Sequence, residues 1–245
     1  FDSVSERFRE AQGKTATFRA LHMRAQMRLD EIKDERMVYQ RCKSMVAALE
    51  ALDAFIDEAT NQVDPRRIYV VGLSMGGYVA LEMARLAPQR MAAMALLSTN
   101  CRDDSAERQS QRQQAITQAK ERGFRGVTRH LMPRLLSEAA LQDEAIVADV
   151  LAMAADIGRI GFVQQQTAIM RRRAQHDTLA SFTAPVLVLC GNLDVLTPPN
   201  LTIEMASLAP QAELCLLNGI GHLSSIEAPK AVTNALESLF ERAAD

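Results

Sequence analysis

Residues 68–86 hold the tightest constraint in the chain. Ile68-Tyr69-Val70-Val71 is a short β-rich run, Gly72-Leu73-Ser74-Met75-Gly76-Gly77 reads as a turn, and Tyr78 to Leu86 reads as a helix that stops before Pro88. At the centre lies Gly72-x-Ser74-x-Gly76. A serine in a strained strand-to-helix turn would project its hydroxyl clear of the sheet. Side chains two residues before and after it would collide, so Gly72 and Gly76 are expected to be small for steric reasons. The following helix begins at the serine, and its first amides, starting with that of Met75, would point where an oxyanion forms. The rival reading is a glycine-rich turn without chemistry.

The rest of the chain divides around this unit. Its 245 residues suit one large α/β domain, or a core with a smaller inserted domain, and 48% hydrophobic content supplies a sizeable core. Residues 1–61 are rich in Ala, Met, Arg, Glu and Leu, and Val38, Cys42, Met45, Leu49, Leu52 and Ile56 recur at helical spacing. They predict a helical N-terminal segment. Residues 62–101 and 181–245 carry the α/β core. Met91 to Leu97 is a buried strand candidate whose Ala and Met content leaves helix open. Residues 102–180 are polar and Gln- and Arg-rich, with breaks at Gly123, Pro133 and Gly158 to Gly161. About four helices and no strand are expected there, as an inserted helical cap. Pro185 to Gly191 and Glu213 to Leu217 are further strands. Thr197 is placed to cap a helix opening with Pro198 and Pro199, and Ser224 with Glu227 is spaced as a capping box for the final helix.

Several function classes are disfavoured. Formal net charge is −2 with no basic stripe, so nucleic acid is not an expected partner. No apolar run approaches the roughly 18–20 residues that cross a bilayer, and no signal peptide is visible. Cys42, Cys101, Cys190 and Cys215 are widely spaced without a CxxC pair, which argues against a metal centre or a disulfide framework. Reduced thiols and a cytoplasmic location are the expectation.

A serine needs a base, and the base needs an acid to orient it. Of the four histidines, His22 sits beside the apolar stripe of the N-terminal helix, and His130 and His176 lie in the Arg-rich insert. His222 follows a strand and is flanked by Gly219 and Gly221, which free the backbone to place it. Asp194 lies just past the buried strand ending at Gly191, where open α/β sheets collect functional groups. Glu227 and Asp177 are rival acids.

Gly72-Leu-Ser-Met-Gly-Gly-Tyr, Gly191-Asn-Leu-Asp194-Val-Leu-Thr-Pro and Gly221-His222-Leu-Ser-Ser-Ile-Glu-Ala-Pro229 resemble the nucleophile, acid and histidine loops of the α/β-hydrolase superfamily. The latter two are similar in style to its carboxylesterase and oxoadipate enol-lactonase-like branch. The chain order Ser, Asp, His is that of the same family. The resemblance covers about residues 62–240. It implies a mostly parallel sheet flanked by helices, with the insert as a cap. It also implies hydrolysis of an ester, lactone or thioester through an acyl-enzyme, with Ser74, Asp194 and His222 as triad and a small acyl compound as substrate. No metal or organic cofactor is implied.

The N-terminus departs from that pattern. The family's early strands should precede the turn at Ser74, yet residues 1–61 read as helices, and the His-Gly motif that usually supplies a second oxyanion donor is absent. Loss of such a donor typically costs about 10²–10³ in rate. A hydrolase-fold binding or scaffold protein with weak turnover, or carbon–carbon bond cleavage on the same triad, is therefore kept as an alternative. The outer edge of the strand at 68–73 should also need a cover, for which the N-terminal helices or a second subunit, as in a homodimer, are the candidates.

Overall fold

A computed structural model of the chain describes residues 68–121, 126 and 129–244, all within one compact unit. The expectations for residues 1–61 and for a break at Gly123 lie outside the described residues. Four parallel strands form one sheet in the order β1 (Ile68–Leu73), β2 (Met91–Leu97), β3 (Val186–Gly191), β4 (Ala212–Leu217). Parallel neighbours require crossover connections. These are α1 (Met75–Leu86), a long helical insert, and α6 (Pro199–Leu208).

Met91 to Leu97 is a strand, which resolves the ambiguity left by its composition. Every residue in it is buried, and the side chains alternate. Met94 and Leu96 enter one core, while Ala93, Ala95 and Leu97 enter the other. A central parallel strand covered on both faces tolerates an unbroken apolar run, and alanines facing one helix layer let that layer approach closely. The first core packs the sheet against Ala80, Leu81 and Ala84 of α1 and Met205 of α6. The second packs it against Val232, Leu239 and Ala243 of α8 (Pro229–Ala244). Helix α1 ends where Ala87, just before Pro88, leaves helical geometry at φ −144°.

Between β2 and β3 the described residues form helices only: α2 (Ala106–Glu121), a 3-10 turn (Arg129–Arg134), α3 (Glu138–Leu141), α4 (Glu144–Arg171) and α5 (His176–Ser181). Pro133 sits inside the 3-10 turn. Gly158 breaks the geometry within α4, with φ 62° and ψ 179°, and the helix resumes after it. Met132, Leu136, Ala140, Val147 and Val150 make a third core, against which Leu223 and Ile226 pack. No helix among the described residues is long and apolar enough to cross a membrane. Among those residues β1 pairs on one side only, with β2. The expected cover of its outer edge falls on residues outside the description.

Two capping expectations are corrected. Helix α6 is preceded by Pro198 as its cap residue, and the Thr197 hydroxyl donates instead to Asp194 Oδ2 at 2.7 Å. The capping box of Ser224 and Glu227 does not form. Leu223 occupies the cap position of the short helix α7 (Ser224–Glu227), and the Glu227 carboxylate is taken by the amides of Ser137 and Gly221. In both places a carboxylate gathers two or more donors in preference to the local cap.

Candidate active site at the carboxyl edge of the sheet

Ser74 bridges β1 and α1 with φ 54° and ψ −111°. A non-glycine residue at positive φ costs on the order of 1–3 kcal/mol and persists only where its surroundings impose it. Here they do. The Ser74 amide donates to Leu97 O at 2.8 Å. Its carbonyl accepts from the Thr99 hydroxyl at 2.8 Å and from the Gly77 amide at 3.0 Å. The serine is thus clamped by the end of β2 on one side and by its own helix on the other.

The steric expectation holds at one of the two glycines. A Cβ on Gly72 would fall 2.6 Å from the Gly77 nitrogen and against the Gly76 carbonyl. A Cβ on Gly76 would meet nothing within 4 Å among the described residues. The second forced position is Gly77, whose Cβ would overlap the buried Thr99 side chain. Met75 is the first residue of α1, and the first amides of a helix have no intrahelical acceptor.

Asp194 stands three residues beyond β3 and is 2% exposed. Its Oδ1 accepts from the Leu196 and Thr197 amides, both at 2.9 Å. Oδ2 accepts the Thr197 hydroxyl and faces His222 Nδ1 at 2.8 Å. Burial pushes this carboxyl upward. The hydrogen bond and charge of His222, with the Thr197 bonds, outweigh that and leave it below its ordinary value. His222, beyond β4, is 3% exposed. With Nδ1 turned to the carboxylate, its Nε2 is the nitrogen left to exchange a proton.

Close backbone contact sets this pairing. A Cβ on Gly191 would strike the backbone of Ile220 and Gly221. The Leu193 amide donates to Ile220 O at 2.9 Å, and Asn192 bridges to Asn218 and Gly219. From the insert, Leu135 O accepts the amides of His222 and Leu223, both at 3.1 Å.

The structure therefore brings Asp194 and His222 into direct contact, and Ser74 stands on the same carboxyl edge, at the end of β1. Of the rivals, Asp177 is exposed on α5 and Glu227 bonds to amides. His130 is exposed, and His22 lies outside the described residues. Sequence reading missed Thr99, Thr197 as partner of the acid, and Leu135. The polar triplet Ser98-Thr99-Asn100 directly beyond an apolar strand is the one signal that could have flagged Thr99.

A family model described as the alpha/beta hydrolase fold matches residues 36–229. The chain belongs to this hydrolase family. A Mycobacterium tuberculosis relative named as the non-heme bromoperoxidase BpoC is 31% identical over 207 residues, covering 81% of this chain and 74% of its own length. The pimeloyl-(acyl-carrier protein) methyl ester esterase of Nitrosomonas europaea is 27% identical over 198 residues, or 78% of each chain. Among solved structures, a thermophilic esterase from Thermogutta terrifontis superposes with a TM-score of 0.73 at 27% identity, covering 82% of this chain and 73% of that one.

Two further polar clusters flank the site of this alpha/beta hydrolase. Asp104 is buried between Arg112 Nε at 2.6 Å and Arg172 Nη1 at 2.8 Å. The Arg172 contact is an ion pair off the line of a hydrogen bond. Arg172 also donates to Arg102 O and Ile169 O and lies 4.2 Å over the Tyr78 ring. The two ends of the insert are thereby pinned together. Cys101, His176 and Glu204 bring one potential metal ligand each within 4.8 Å of one another. The Glu204 carboxylate is already engaged by Arg102 at both oxygens and by His176 at 3.2 Å. The Arg102 guanidinium already compensates its charge.

Proposed function

We propose that this chain is a serine hydrolase that cleaves an ester, lactone or thioester through an acyl-enzyme. The observation that carries the reading is the buried Asp194–His222 pair on the sheet edge that also holds a serine in strained backbone geometry. Ser74 attacks the carbonyl carbon while His222 Nε2 takes its proton. Asp194 fixes the tautomer and stabilises the imidazolium. The Met75 amide and the α1 dipole receive the oxyanion. His222 then protonates the leaving group and activates the water that deacylates the enzyme. Catalytic hydrogen bonds are often long before substrate arrives and tighten in its presence.

Residues 102–180 act as the cap that selects a small acyl substrate. Two of the relatives described above are named for ester cleavage, which supports that substrate class. Cys101, Cys190 and Cys215 are free thiols, which fits a cytoplasmic setting.

A fluorophosphonate probe and a short-chain p-nitrophenyl ester test the reading. Wild type should label and turn over, and Ser74→Ala should lose both, with turnover down by at least about 10⁴-fold. Folded wild-type protein that neither labels nor hydrolyses would favour a binding or scaffold role. A peroxide-dependent bromination assay separates the proposal from the activity in the name of the Mycobacterium tuberculosis relative.

A further inference from the structure

His222 is held from two directions, and only one of them is Asp194. On the other side, two three-residue segments face each other across the third core: Leu135-Leu136-Ser137 of the insert and Gly221-His222-Leu223 of the histidine loop. Leu135 O accepts the amides of His222 and Leu223. Glu227 completes the contact. Its Oε2 accepts the Ser137 amide at 2.9 Å and the Gly221 amide at 3.1 Å, one from each segment. The junction has no spare room. A Cβ on Gly221 would come 2.7 Å from the Ser137 nitrogen and 2.9 Å from Glu227 Oε1.

Energetics make the glutamate hard to explain as packing. Its Oε1 is buried and has no hydrogen-bond partner among the described residues. An apolar cluster of Met132, Leu136, Leu223 and Ile226 surrounds the segments it joins. A carboxyl in such a place is costly unless its hydrogen bonds repay the desolvation. What it supplies is one acceptor for two amides that face each other and have no carbonyl between them. Low local dielectric strengthens both bonds. Leu135 O, by taking the amides of His222 and Leu223, fixes the peptide planes on either side of His222, and Glu227, by taking the Gly221 amide, fixes the plane that leads into them. Asp194 then fixes the ring at Nδ1, and the direction of Nε2 follows.

We infer that Glu227 is a positioning residue for His222, clasping the histidine loop to Leu135–Ser137 so that the helical insert is a working part of the base. This rests on the serine-hydrolase reading above. The insert does more than cover the site: a displacement of residues 135–137 is transmitted to the imidazole through these bonds.

The test compares Glu227→Ala and Glu227→Gln in the full chain. Gln keeps an acceptor oxygen for the two amides, and Ala does not. With a p-nitrophenyl ester, E227A should lower kcat on the order of 10–100-fold while KM changes less than about threefold, and E227Q should recover most of the loss. Amide hydrogen exchange on the same proteins should show residues 135–137 and 221–223 losing protection together in E227A. Should E227A not fold, Glu227→Asp keeps the carboxylate but draws it back by one methylene, and should lower kcat in the same way. Wild-type kcat in E227A, equal loss in E227Q and E227A, or exchange confined to 224–228 would each overturn the clasp. Absence of turnover and labelling in wild type would instead sink the serine-hydrolase reading, and the exchange comparison would still decide the clasp.

Discussion

Two buried aspartates stand beyond neighbouring strands of the same sheet, and they have opposite kinds of partner. Asp104, past β2, lies between two guanidinium groups. Asp194, past β3, lies against an imidazole, a hydroxyl and two amides. Arginine stays charged at any working pH, so the Asp104 pair cannot exchange a proton and holds the ends of the insert as a fixed pin. Asp194 binds the His222 ring at Nδ1 and leaves Nε2 free of the carboxylate, and the proposed reaction uses that second nitrogen to take and return a proton. Similar burial gives a fastener in one place and, on the proposed reading, a proton relay in the other, and the choice of partner decides which.

The largest expected break in that comparison is Asp194→Asn. Two amides and Thr197 still hold the new side chain, so folding survives, but the histidine tautomer is no longer fixed. An ester assay should show kcat reduced on the order of 10⁴-fold. Asp104→Ala should do the reverse. Removing one member of a buried ion pair costs about 3–5 kcal/mol, read as a fall in the denaturant midpoint, with chemistry affected only through the insert.

Next in size is the clamp on the serine. Thr99→Val removes the hydroxyl that holds Ser74 O, and should cost about 1–3 kcal/mol of stability, together with part of the turnover expected on a p-nitrophenyl ester. Its control is Gly76→Ala, which should lie within about 1 kcal/mol of wild type because the Cβ meets nothing within 4 Å among the described residues. Gly72→Ala and Gly77→Ala should not be tolerated.

Acidification sharpens the contrast further. The Asp194 carboxyl is depressed in the folded protein. Its contribution to stability is therefore present above the ordinary carboxylate value and is lost as pH falls through the lowered one. Urea midpoints of wild type and D194N, followed from about pH 6 to about pH 3, should converge at the acid end. The smallest effect concerns Cys101, three residues before Asp104. Burial, then the charge of Glu204, pushes its thiol up to about 11. Iodoacetamide at neutral pH should leave Cys101 unmodified in the native protein and alkylate it after denaturation, read by peptide mass.

Much of this site was legible in the sequence because its parts are local. Strand, tight turn and helix around Ser74 declare themselves within a few residues, and Asp194 and His222 each follow a short apolar strand. What stayed hidden depends on contacts between distant segments. Thr197 and Glu227 both occupy positions where a local capping rule gives a sufficient reading. Only the fold shows that each side chain has a better-placed partner, Asp194 in one case and the Ser137 and Gly221 amides in the other. Gly76 and Gly77 show the same limit at short range. The motif marks the first, while the steric demand falls on the second through Thr99, a residue of the next strand's end.

The insert is fastened at its two ends by Asp104 with Arg172, and midway by Leu135 and Glu227. Helix α4, with its break at Gly158, spans the stretch between those anchors, and Met153, Ile157 and Ile160 on it are exposed. That stretch can be exchanged like an interchangeable bit in a fixed chuck. Grafting residues 152–161 from a relative would leave the Asp104, Leu135 and Glu227 contacts in place, and on the proposed reading it offers a route to retune substrate preference.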